Sequence, residues 1–210
     1  MREKTVRVLY AVLIAAIFLP ALLVPGAGAL ASAFIVIVTL IFVKASRRPT
    51  LAMVWRSVPA SLALGAAVGV VSAIGFGMVV EPLIAALTGE PVDLSSFAKV
   101  EGDLANFLVL LALGLVFGGM IEELIFRGFA IGWGSAAFGE RFAWPLAVLS
   151  AAVFGFTHLY QGWSGVLSTG LAGFLLGALY VLSGRRLLPA MVAHMTNNAI
   201  GITALYLGIG

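Results

Sequence analysis

Seven apolar runs, separated by short polar or glycine- and proline-marked breaks, follow one another along the chain. They cover about residues 7–24, 28–43, 57–80, 104–126, 143–160, 165–183 and 187–208. A helix rises 1.5 Å per residue, so about 20 apolar residues cross the hydrocarbon core of a bilayer. The pattern predicts an all-α fold: a polytopic transmembrane helix bundle of about seven spans (six to eight). Pro25, Gly26 and Gly28 mark the turn between the first two runs. Arg2, Lys4 and Arg7 ahead of the first run, with Ala29, Ala31 and Ala33 beyond it, resemble a signal peptide. The run from Val8 to Val24 is long for one and a second follows at once, so it is read as an uncleaved span.

Composition strengthens this picture. Only 10% of the 210 residues are charged and 62% are hydrophobic, whereas a soluble domain carries roughly 25% charged residues. A soluble chain of this length would still need polar groups to cover its surface. The expected location is therefore an integral one, and the alanine- and glycine-rich content points to a bacterial plasma membrane. The absence of cysteine excludes disulfides, a thiolate nucleophile and a cysteine metal site.

The net charge of +3 is read as topology, with no nucleic-acid partner, because the basic residues sit between the apolar runs. With the N-terminus in the cytoplasm and sides alternating, eleven of the twelve basic residues fall inside or at the inner edge. They are Arg2, Lys4, Arg7, Lys44, Arg47, Arg48, Arg56, Arg127, Arg141, Arg185 and Arg186; Lys99 alone lies outside, in a break that holds Glu81, Glu90, Asp93, Glu101 and Asp103. The expected topology is N-in, C-out. Glycines four apart (Gly65 and Gly69, Gly114 and Gly118, Gly173 and Gly177) suit close helix packing in lipid.

Ionisable groups are expensive in hydrocarbon and mark function. They fall into three clusters. In the first, Glu123 and Arg127 are four apart with the acid N-terminal, the order that favours an ion pair; Glu122 is turned away and left free. In the second, Phe154 lies one turn from His158. In the third, His194 lies one turn from Asn198, with Asn197 turned aside. Together they supply a carboxylate base, two imidazoles and a carboxamide donor, which is what water activation and oxyanion stabilisation require. Each cluster alone also has a structural reading: an interfacial ion pair, an interfacial histidine hydrogen-bonded to backbone, or interhelical hydrogen bonding.

The series Glu-Glu-x-x-x-Arg, Phe-x-x-x-His and His-x-x-x-Asn resembles the CAAX protease and bacteriocin-processing (CPBP, or Abi) family of intramembrane proteases. The resemblance covers residues 104–210, a four-span core, and leaves residues 1–103 as a three-span scaffold region with an acidic outer loop. It implies an intramembrane CAAX-type endopeptidase acting on a membrane-embedded or lipidated peptide or protein in the lipid bilayer. Glu122, His158, His194 and Asn198 would be catalytic, with Glu122 as general base, and Glu123, Arg127 and Phe154 would support them. The family is described as zinc metalloproteases, so His158, His194 and Glu122 would hold zinc if it is bound; a metal-free glutamate mechanism has also been proposed.

Straight spans place the motifs at unequal depths, Glu122 lying ~27 Å along from Leu104 and His158 ~22 Å from Ala143. They meet if the fourth span continues past Arg127, or if the fifth begins with an interfacial stretch from Glu140 to Pro145. Other readings fit less of the pattern. A serine protease could use Gly162-Trp163-Ser164-Gly165 with His194, but it leaves Glu122, Glu123, Arg127 and His158 idle. The His-Glu-x-x-His signature is absent, and Asp93 and Asp103 lie in the outer break, against an aspartyl dyad. A proton-coupled transporter would show repeats and broken helices. A non-catalytic scaffold or immunity protein of the same fold is the remaining alternative.

Overall fold

In a computed structural model that describes residues 3–24 and 28–209, the chain folds entirely into helices among the described residues. Arg2 and the turn residues Pro25 and Gly26 lie outside them. The main elements are α1 (Glu3–Leu23), α2 (Gly28–Phe42), α3 (Lys44–Thr50), α4 (Val58–Thr88), α5 (Leu104–Phe138), α6 (Ala143–Phe156), α7 (Gly162–Leu182) and α8 (Leu187–Leu207). Local chemistry sets several boundaries. The Ser57 hydroxyl accepts from the amide of Ala60 at the start of α4, and the Asp103 carboxylate does the same for Asn106 at the start of α5. Gly89, with φ of 82°, ends α4 in the left-handed conformation.

Fewer than seven helices pass as spans by length and composition alone. By length and composition, three helices among the described residues can cross a bilayer: Val58–Thr88, Leu104–Phe138 and Leu159–Leu182. A fourth is reached if Leu30–Phe42 and Lys44–Thr50, bent by 117°, form one broken span. The physical reasons are local. Helix α6 has only 14 residues, roughly 21 Å at the helical rise, so the expected span 143–160 is cut short before His158. Helix α8 is long enough but carries His194, Asn197 and Asn198, which lower its apolarity.

The fourth run extends well past Arg127, to Phe138, and a short 3-10 turn at Glu140–Phe142 precedes α6. The first feature expected to reconcile the depths of the motifs, a fourth run continuing past Arg127, is therefore present. Much of α5 is wound as a π-helix, over Gly114–Glu122 and Leu124–Trp133. Such i→i+5 winding is rare and concentrates at functional sites. Neighbouring side chains donate to carbonyls along it: Asn198 to Gly114, Ser150 to Phe126, and Tyr10 to Ala130. An aromatic core of Tyr10, Phe18, Phe126, Phe129 and Trp133 joins α1 and α2 to this segment.

Glycines bring the remaining helices close. A Cβ on Gly65 would lie 2.6 Å from the Pro189 carbonyl, and one on Gly69 2.6 Å from that of Ala193, so α4 packs its backbone against α8. Gly173 makes room for the Phe154 ring and Gly177 contacts Ala147, which seats α7 on α6. The two ends of the bundle differ in charge. At one, Arg7 donates to Ala137, the amide of Leu187 donates to Ala52, and Arg185 pairs with Glu140. At the other, the amide of Asp93 donates to Gln161, and that of Gly102 to Tyr206. Basic residues gather at the first end and most acidic loop residues at the second.

Candidate active site

The π-wound part of α5 fixes the two adjacent glutamates in different surroundings. Glu123 is fully buried, and its Oε1 accepts from Arg127 Nη1 at 2.7 Å and from His194 Nδ1 at 2.9 Å. Arg127, 1% exposed, also donates through Nη2 to the Gly173 carbonyl at 2.8 Å. Glu123 and Arg127 thus form the expected pair, and their role is to tie α5 to α7 and α8. Glu122 is partly exposed, and its nearest charged partner is His194 Nε2, 4.0 Å from Oε2. That separation exceeds a hydrogen bond.

His194 is held from both sides. With Nδ1 donating to the Glu123 carboxylate, Nε2 is the nitrogen left toward Glu122. His158 sits just beyond the end of α6, not on it, and its Nδ1 donates to the Phe154 carbonyl at 2.9 Å. It therefore caps α6 as well as facing the site, so the structural and the chemical readings of this residue hold together. Phe154 organises both imidazoles: its ring lies 4.8 Å from that of His158 and 6.0 Å from that of His194, with the Arg127 guanidinium 5.0 Å away.

A cavity of about 170 Å³ opens beside these groups. His158, His194 and Asn198 line it, together with Phe154, Asn197, Ser72, Gln161 and Thr169. Asn198 spends one amide hydrogen on the Gly114 carbonyl at 2.9 Å. Gly118 faces the same groups, since a Cβ there would lie 2.5 Å from Asn198 Nδ2 and 3.7 Å from His194 Nε2. Gly118→Ala is accordingly expected to displace Asn198 and lower turnover at least about tenfold. Gly75→Ala and Gly77→Ala, with nothing within 4 Å of the new methyl, are expected to leave it unchanged; turnover of the three variants in one detergent checks this.

The fold thus assembles residues from all three motifs. Asn197 is turned aside from the face of His194 and Asn198, toward α4, where it still lines the cavity and accepts from Ser72 Oγ at 2.7 Å. Ser72, Gln161 and Thr169 escaped the sequence reading because single small polar residues are common in membrane helices; only Ser72, one turn beyond Gly69 on the packing face of α4, had a positional signal. The serine alternative does not assemble: Ser164 is fully buried and bonds Glu90 O at 2.6 Å and the Thr88 hydroxyl at 2.7 Å.

As for zinc, no group of three or more His, Asp or Glu side chains among the described residues is arranged to hold a metal ion. His194 Nδ1 and His158 Nδ1 are committed to Glu123 and to a carbonyl, and His158, His194 and Glu122 do not converge as one donor set.

Residues 104–200 match a family model described as type II CAAX prenyl endopeptidase Rce1-like. No curated protein and no solved structure matches the chain. The matched stretch begins at the first residue of α5 and takes in Glu122, Glu123, Arg127, Phe154, His158, His194 and Asn198.

Proposed function

We propose, from the match of residues 104–200 to the Rce1-like model of type II CAAX prenyl endopeptidases, that the chain is an intramembrane endopeptidase in which Glu122 activates the attacking water. The observation that carries this is the division of labour between two neighbouring acids. Glu123 is buried and bonded to a guanidinium and an imidazole; Glu122 has no such pair and stands 4.0 Å from an imidazole nitrogen. A gap of that size suits a water molecule bridging the two groups.

Glu122 takes a proton from this water as its oxygen attacks the scissile carbonyl. His158, with Nδ1 donating to Phe154, presents Nε2 as an acceptor that orients the water. The tetrahedral oxyanion is met by the second amide hydrogen of Asn198 and by His194, whose ring the Glu123 carboxylate holds in place through Nδ1. Glu122 then returns the proton to the leaving amine, and the peptide C–N bond breaks. The substrate is a membrane-anchored or lipidated peptide or protein. The basic end, which gathers Arg7 and Arg185, faces the cytoplasm, and the chain crosses the bilayer in about seven segments.

The test is incubation of purified protein in detergent with prenylated CAAX-type peptides and unlipidated membrane peptides, followed by mass spectrometry. A single internal cut is expected; stepwise trimming from one end, or intact peptides throughout, would overturn the reading. Because the donors do not converge on a common point, cleavage is also expected to survive a strong zinc chelator within about twofold. Loss on chelation with recovery on added zinc would mean that Glu122, His158 and His194 draw together around an ion.

A further inference from the structure

Helix α8 lies between α4 and α5, and its polar residues face both. His194 and Asn198 face α5, where they meet Glu123 and Gly114. Asn197, about 100° around the helix from Asn198, faces α4 instead. Close packing at Gly65 and Gly69 brings α4 against Pro189, Ala193 and Thr196, and one turn further on the Ser72 hydroxyl reaches the Asn197 carboxamide.

The direction of that bond is informative. Hydroxyls inside membrane helices usually bond back to a carbonyl of their own helix, and here Thr39, Thr88, Thr169 and Thr203 each do so, to the residue four before. Ser72 instead donates across to Asn197 Oδ1 at 2.7 Å. With its oxygen engaged, the carboxamide cannot swing freely, and its Nδ2 makes no hydrogen bond among the described residues. Both residues border the cavity that His158, His194 and Asn198 line.

From this geometry we propose that Asn197 is a substrate-binding residue, donating from Nδ2 to a backbone carbonyl of the peptide other than the scissile one, and that Ser72 is a positioning residue that fixes its orientation. The proposal rests on the endopeptidase reading. It commits Asn197 to ground-state binding because the residue faces away from α5, which carries Glu122. It also gives α4, outside the matched stretch, a part in recognising substrate.

Steady-state cleavage of a prenylated CAAX-type peptide by wild type, Glu122→Gln, Asn197→Ala, Ser72→Ala and the Ser72→Ala/Asn197→Ala double variant tests it, with a thermal melt of each. Losing one such hydrogen bond is expected to raise KM about fivefold in Asn197→Ala with kcat kept within about twofold. Ser72→Ala should raise KM in the same direction by less, and the double variant should be no worse than Asn197→Ala. Should Asn197→Ala fold poorly, Ser72→Ala, which removes a single oxygen, decides alone. Unchanged KM in the variants beside an inactive Glu122→Gln would overturn this inference and leave the endopeptidase reading standing, as would a fall in kcat at constant KM. Cleavage by Glu122→Gln at the wild-type rate, or no cleavage by wild type, would overturn both.

Discussion

Glu122→Gln is expected to lower peptide turnover by about a thousandfold while leaving the melting temperature within about 2 °C of wild type. Removing a general base typically costs a factor of about 10²–10⁴, and the amide cannot take the proton from water. The structural effect should be small because, among the described residues, the Glu122 carboxylate makes no hydrogen bond; the His194 imidazole stands 4.0 Å away. Glutamine keeps the volume and polarity of the side chain. Turnover and melting measured on one preparation separate lost chemistry from lost fold.

Arg127→Met is expected to show the opposite pattern, a large loss of stability. The substitution keeps the length of the side chain but leaves the fully buried Glu123 carboxylate without its cationic partner and the Gly173 carbonyl without its donor. Breaking a buried ion pair from one side costs about 3–5 kcal/mol, which for a chain of this size lowers the melting temperature by roughly 10 °C or more. Lost turnover should follow lost fold, and activity per folded molecule should fall further because Glu123 also orients His194. A melt of the purified variant in detergent checks the first effect; a melt like that of wild type would mean that the pair is energetically idle.

Much of the site was legible in the sequence because ionisable groups in hydrocarbon are rare. Three clusters drew attention on that ground alone; the fold brings members of the second and third to one cavity and sets Glu122 of the first 4.0 Å from His194. The division between Glu122 and Glu123 followed from helical spacing, since only Glu123 stands four residues from Arg127. What Asn197 does was not legible: spacing turns it away from Asn198, but the face it occupies acquires meaning only when α4 packs there. The glycine pairs predicted close contacts without naming partners, as a small residue records proximity but not what approaches. The boundaries of the helices were less legible than the spans themselves. Hydropathy does not reveal that α6 stops at Phe156 or that α5 runs unbroken through Arg127 to Phe138, because those boundaries depend on π-winding and on tertiary donors such as Tyr10 and Ser150.

The most direct measurement places Glu122→Gln and Glu123→Gln side by side, with turnover of a prenylated CAAX-type peptide and a thermal melt for each. If Glu122 is the base and Glu123 the anchor for Arg127 and His194, Glu122→Gln will be inactive at wild-type stability, whereas Glu123→Gln will melt well below it. Wild-type turnover in Glu122→Gln would contradict that assignment.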